Sequence, residues 1–205
     1  MENRVEDYAA DREKLLLDLC RKGLRAWVPA ELVRDAILHC GWRIERVHGM
    51  EPGLLGLCCP EQQVLKVPTD FRRRLRVPET ARAMMNETLA HELGHIRLHA
   101  QLMLKQGTKR RGWERQANQY ARVFLVPLVT LMTRFPMRRL LEAEGDIRRW
   151  AQVLRLAEEF QVTGWFMGSV LEMYGLAKIE RRRRRVEVLP LAHELARRFA
   201  FVRSA

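Results

Sequence analysis

The sequence predicts an α+β fold, mainly helical, with a small antiparallel sheet beside one central helix and a helix-turn-helix-like region after it. Three observations carry this expectation. Apolar residues recur at intervals of three and four through most of the 205-residue chain, the spacing of helices with one buried face. Period-two alternation is confined to residues 42–67, where turn residues interrupt it. Leu156-Ala157, Phe160 and Val162-Thr163 form a compact junction between two helical segments. With 47% apolar residues, the chain can bury one sizeable core, or one domain and a small appendage.

From the N-terminus, Leu15, Leu16, Leu19 and Cys20 predict a helix over 11–22 that Gly23 stops. Pro29 opens a second helix through Leu38, with Leu32, Val33, Ala36 and Ile37 inward and Gly41 just past its end. Residues 42–47 alternate Trp, Ile and Val with charged residues, the pattern of a half-buried strand. Pro52-Gly53 turns the chain, and residues 54–58 and 63–67, separated by Pro60-Glu61-Gln62, predict a hairpin. Pro78 and Glu79 suit the first turn of a long helix, where a missing N–H is harmless and the dipole favours an acid. Along it Met85, Leu89, Leu93 and Ile96 form a buried stripe, and Gly94 lets another element come close. A basic loop with Gly107 and Gly112 leads to a helix over 113–124. Pro127 and Pro136 bracket a short helical piece, Asp146 caps a helix to Phe160, and Val162-Thr163 begins another that Gly175 ends. Arg181 to Arg185 reads as a solvated linker before a helix over 191–201.

The long helix carries the chemistry. In His91-Glu92-Leu93-Gly94-His95 the two histidines are four residues apart, so both imidazoles sit on one helix face and can share a metal ion. Neutral imidazole suits zinc, and two histidines with one carboxylate leave a position open for water. Glu92 adjoins the ligands without being one; it is placed to take a proton from that water and pass it to a leaving amine, as in a zinc peptidase. Glu114, 19 residues beyond His95, has enough chain before it to arrive on a second helix as the third ligand. Asn118 follows one turn later on the same face, where it can hydrogen-bond a ligand imidazole. His99 is eight residues from His91, about 12 Å along a helix, so it is expected behind the ligands or at the helix end rather than on the metal. Tyr120 and Tyr174 are candidates for a donor to the oxyanion. Ala192-His193-Glu194-Leu195 repeats the first half of the motif, but position 197 is Arg, so no histidine pair forms there.

Thr-Leu-Ala-His-Glu-Leu-Gly-His-x-x-Leu-His at 88–99, followed by Glu-x-x-Ala-Asn-x-Tyr-Ala-x-x-Phe-Leu-Val-Pro at 114–127, resembles the ImmA/IrrE family of zinc metallopeptidases. The resemblance covers roughly residues 42–176. It implies a zincin-like fold with zinc as cofactor, His91, His95 and Glu114 as ligands, and Glu92 as catalytic base. It also implies regulated cleavage of a helix-turn-helix transcriptional repressor, in mobile-element or stress circuits. Asn86-Glu87 stands where an Arg-Phe pair is common, and Tyr120, Arg122 and Val126 replace the usual Phe, Ala and Met; the ligand positions are unchanged. The expected organisation is a metallopeptidase domain over 1–135, a helix-turn-helix-like region over 136–178, and an Arg-rich extension over 179–205.

Net charge is +12, from 37 basic and 25 acidic residues, with arginine clusters at 72–74, 138–139 and 181–185 and a basic run at 109–111. Spread over four separate stretches, this charge reads first as a solvated surface and next as a site for an acidic partner, with weak, nonspecific, salt-dependent contact with nucleic acid as one form of it. A sequence-reading helix would place Arg, Lys, Asn or Gln in the groove. Residues 163–175 contain no Arg or Lys, so structural or substrate-docking use is expected there. The acidic start and the lack of an apolar run of about 18 residues point to a cytoplasmic protein without a membrane partner. Four cysteines without a C-x-x-C pair read as buried thiols. The competing reading is a non-catalytic, zinc-containing regulator that binds DNA or protein; a third is an accessory module acting by binding alone.

Overall fold

A computed structural model describes residues 3–21, 29–77, 80–106, 111–180 and 182–202. The chain divides into two compact units, Met1–Leu125 and Val126–Ala205. Its fold is α+β and mainly helical.

The first unit contains α1 (Asn3–Arg21), α2 (Pro29–His39), β1 (Arg43–Val47), β2 (Leu57–Cys59), β3 (Val64–Pro68), α3 (Phe71–Arg74), α4 (Ala81–Gln106) and α5 (Arg111–Leu125). Helix α1 begins well before the predicted Asp11. Its added turns bury Tyr8, whose ring meets Tyr120 of α5 edge-on at 5.7 Å. The 54–67 hairpin forms as β2 and β3, antiparallel with Cys58 opposite Leu65. The sheet as a whole is not antiparallel, because the strand order is β1-β3-β2 and β1 runs parallel to β3. The reason is topological. β2 reverses the chain between β1 and β3, so when β3 takes β2 on one edge and β1 on the other, β1 must run in its own direction. Central β3 accordingly buries Val64, Leu65 and Val67 rather than alternating.

Helix α4 has 26 residues, about 39 Å of helix. The proposed start at Pro78 and Glu79 lies outside the described residues. Leu89, Leu93 and Ile96 are buried as the stripe predicts, while Met85 is only half-buried. The opposite face is buried as well, since Glu92, His95 and His99 are each at most 4% exposed. The helix is therefore central in its unit rather than amphipathic. Cys58 is buried as expected; Cys40 and Cys59 are half-buried, a correction to the reading of all four as buried thiols.

The second unit contains α6 (Leu128–Met132), α7 (Phe135–Glu142), α8 (Asp146–Glu159), α9 (Gly164–Met173), β4 (Ala177–Glu180), β5 (Arg185–Val188) and α10 (Pro190–Val202). The α8–α9 junction is the predicted one. Phe160 and Val162 are buried, and the Thr163 hydroxyl caps α9 by accepting from the Phe166 N–H at 3.1 Å. Two expectations are corrected. Asp146 does not cap α8; Gly145 takes the N-cap at φ 81, and Asp146 Oδ1 instead accepts from the Val186 N–H at 3.2 Å. Of the arginine run, Arg181 lies outside the described residues, and Arg182 to Arg185 are not a linker but the turn and first strand residue of a hairpin, with Glu180 opposite Arg185 and Ile179 opposite Val186. Adjacent charges concealed the alternation of Ala177, Ile179 and Val186, the residues this hairpin buries. Among the described residues no helix is long and apolar enough to cross a membrane.

Candidate metal centre

The site begins with two small residues. A Cβ placed on Gly94 of α4 would lie 2.9 Å from the Ala117 Cα and 3.0 Å from its carbonyl oxygen on α5, so this approach requires glycine. Gly94 stands between His91 and His95, and Ala117 between Glu114 and Asn118. The backbone contact thus fixes the gap across which these four side chains meet.

His91 Nε2 and His95 Nε2 are 3.1 Å apart. Glu114 Oε2 is 3.2 Å from His91 Nε2, and its Oε1 is 3.3 Å from His95 Nε2. Ligand atoms bonded to a tetrahedral zinc at about 2.0–2.1 Å are separated by about 3.3–3.4 Å, so this donor set fits such an ion. The group is the sole three-residue cluster of metal-ligating side chains found among the described residues. Its access is one-sided: the His95 side chain is 0% exposed, whereas those of His91 and Glu114 are 21% and 46% exposed.

Behind this cluster, His91 Nδ1 is 3.1 Å from Asn118 Oδ1. The carbonyl oxygen can only accept, so the Nδ1 proton is on His91 and its Nε2 lone pair is free. His95 is reached through a longer chain. Gln116 Oε1 lies 2.8 Å from His99 Nε2 and accepts its proton, which makes His99 Nδ1 the acceptor for His95 Nδ1–H at 3.1 Å. His95 Nε2 is then the nitrogen without a proton, turned toward His91 and Glu114. The His99 ring is held by Trp113, parallel to it within 9° and 5.0 Å away. Asn118 and His99 thus stand beside His91 and His95, whereas Gln116 and Trp113 were not singled out from sequence. The available signal was a Trp-Glu-x-Gln-x-Asn run that loads one turn of α5 with polar groups.

Glu92 is 4% exposed, and its Oε2 has no hydrogen-bond partner among the described residues. Its side chain lies against the irregular segment leading into β2. A Cβ on Gly56 would be 2.9 Å from Glu92 Cγ and 3.0 Å from its Oε1. Cys58 Sγ donates to the Glu92 carbonyl at 3.5 Å, tying β2 to α4. Gly56 was not singled out from sequence, because nothing local announces that its hydrogen faces a carboxylate.

Both candidate tyrosine hydroxyls have acceptors within their own units. Tyr120 is 1% exposed and its hydroxyl donates to Asp11 Oδ2 at 2.7 Å. Burial, and then the Asp11 charge, push this phenol far above its ordinary pKa. Tyr174, in the second unit, donates to the Val126 carbonyl at 3.0 Å. Asp11 also binds Arg97 of α4 through both carboxylate oxygens. Burial alone would raise the Asp11 carboxyl, but the hydrogen bonds from Arg97 and Tyr120 prevail and hold it below the ordinary range.

The family model for M78 peptidases, described as an IrrE N-terminal-like domain, matches residues 60–166, a span that includes His91, Glu92, His95 and Glu114. Among solved structures the chain is similar to a Mycobacterium tuberculosis transcriptional regulator, with a TM-score of 0.54 and 14% identity. That match covers 90% of this chain and 50% of the regulator, so the chain spans half the length of that protein. No curated protein matches the chain.

Proposed function

The chain belongs to the IrrE N-terminal-like family of M78 peptidases, and we propose on that basis that it is a zinc-dependent endopeptidase cleaving a transcriptional repressor. The observation that carries the chemistry is the convergence of His91, His95 and Glu114 beside buried Glu92, whose Oε2 is unpartnered among the described residues. Zinc held by those three residues supplies Lewis acidity toward water and the scissile carbonyl.

The remaining work falls to the protein. Asn118, and Gln116 acting through His99, keep both ligand rings in the tautomer that presents Nε2. Glu92 accepts the proton of the attacking water at Oε2 and returns it to the leaving amine. Its burial favours direct transfer over exchange with bulk water. Both edges of β3 are taken by β1 and β2, so an extended substrate segment pairs with the outer edge of β2, next to Glu92, rather than with β3. The repressor as substrate rests on the family resemblance, and a helix-turn-helix repressor encoded beside this gene is the natural candidate.

Co-expression with that repressor, followed by mass measurement of its fragments, tests the proposal. Glu92→Gln should leave zinc and fold intact while lowering the cleavage rate roughly 10² to 10⁴-fold. Equal fragment yields from both proteins would remove Glu92 from the mechanism. Absence of fragments with the parent protein favours the non-catalytic regulator.

A further inference from the structure

We infer that the arginine tip of the β4–β5 hairpin is a contact surface for the phosphate backbone of duplex nucleic acid. Arg182, Arg183 and Arg184 form the turn and Arg185 opens β5; all four side chains are exposed. Arg184 takes φ 53, as Gln63 and Gln161 do near φ 50 at other turns, and it holds its charge among like charges that repel.

The chemistry of the tip selects the partner. Every residue in it is arginine and none is lysine, so it presents planar forks that match phosphate oxygens in pairs. Arg183 has Glu180 at 3.3 Å and Arg185 has Asp146 at 3.7 Å, whereas Arg182 and Arg184 have no ion pair among the described residues. The base of the hairpin is fixed. Val186 N–H donates to Asp146 at 3.2 Å and Arg149 Nη1 donates to the Val186 carbonyl at 3.2 Å. Ile179 packs close over Gly168 of α9, within 3.6 Å of a Cβ built there. The cations are therefore carried on a braced support rather than a free tail.

Other anionic partners fit less well. The hairpin has no aromatic residue on which bases of a single strand could stack. Its tip has no apolar residue to enter a membrane. Helix α9 carries no Arg or Lys, so the contact is to backbone and indifferent to sequence. The inference does not depend on the metal centre being catalytic.

The test uses the full chain, a labelled duplex of arbitrary sequence, and anisotropy titrations between about 50 and 200 mM salt. Replacing Arg182, Arg183 and Arg184 together with Gln should reduce the slope of log K against log salt by roughly two to three. Arg184→Gly, whose backbone suits φ 53, should keep or raise the thermal midpoint and lower the slope by about one. It decides the matter should the triple variant fold poorly. A scrambled duplex should bind equally. Unchanged slopes in these variants would overturn the inference, as would parent protein that binds anionic vesicles or polyglutamate in preference to the duplex at the same salt.

Discussion

The tetrapeptide Ala-His-Glu-Leu occurs twice, at 90–93 in α4 and at 192–195 in α10. Both copies are helical, and in both the alanine is 0% exposed. In α4 the glutamate is buried, a second histidine follows at 95, and α5 closes over the pair with Glu114, Gln116 and Asn118. In α10 both His193 and Glu194 are exposed, Arg stands at 197, and Glu194 pairs with Arg198 at 2.5 Å. Local sequence, helical state and the inward alanine are the same in the two places. The surroundings differ because one helix has a partner that approaches backbone to backbone, at Gly94 and Ala117, bearing acceptors and a carboxylate.

The largest effect should come from carrying the same exchange into both copies. Where Glu92→Gln lowers cleavage roughly 10² to 10⁴-fold, Glu194→Gln should leave the rate on the same repressor unchanged. A smaller effect should follow from spoiling the approach that distinguishes them. Gly94→Ala drives a methyl into the Ala117 backbone, and separation of the helices should cost about 1–3 kcal/mol in denaturant unfolding and weaken zinc binding. His193→Ala on α10 should stay within about 0.5 kcal/mol of the parent.

The smallest effect is pH-dependent. Asp11 braces α4 through Arg97, two residues beyond His95, whereas the Glu194–Arg198 pair on α10 is solvated and worth about 0.3–0.5 kcal/mol at most. The folded pKa of Asp11 is below its ordinary value of 3.8, so its stabilisation is fully present above that value and is lost as pH falls through the folded pKa. The thermal midpoint of the parent should therefore exceed that of Asp11→Asn near neutrality, and the difference should shrink below about pH 3.8. A difference independent of pH would mean that Asp11 acts by packing rather than by charge.

These contrasts also explain what could be read from the sequence. Periodicity located most of the helices, and the i, i+4 histidines with Glu114 and Asn118 sufficed to foresee the cluster, because spacing along a helix dictates which side chains share a face. Gly94 was legible as a point of close approach, though not which residue would meet it. Nonlocal pairings stayed hidden. The parallel seating of β1 on β3 depends on which edge the strand chooses. Gly56 matters only because Glu92 lies across from it, and Gln116 acts only through His99. The β4–β5 hairpin was masked by its own arginines, whose charge outweighed the short alternation on either side. Asp146 looked like a cap because acids commonly are, but Gly145 had already supplied the turn.

The central claim is that α5 turns a recurring tetrapeptide into a metal site, and elemental analysis of purified protein tests it most directly. The parent should hold one zinc per chain, Glu194→Ala should hold the same, and Glu114→Ala should lose it. A parent without stoichiometric metal, or Glu114→Ala binding zinc as tightly as the parent, would contradict the account.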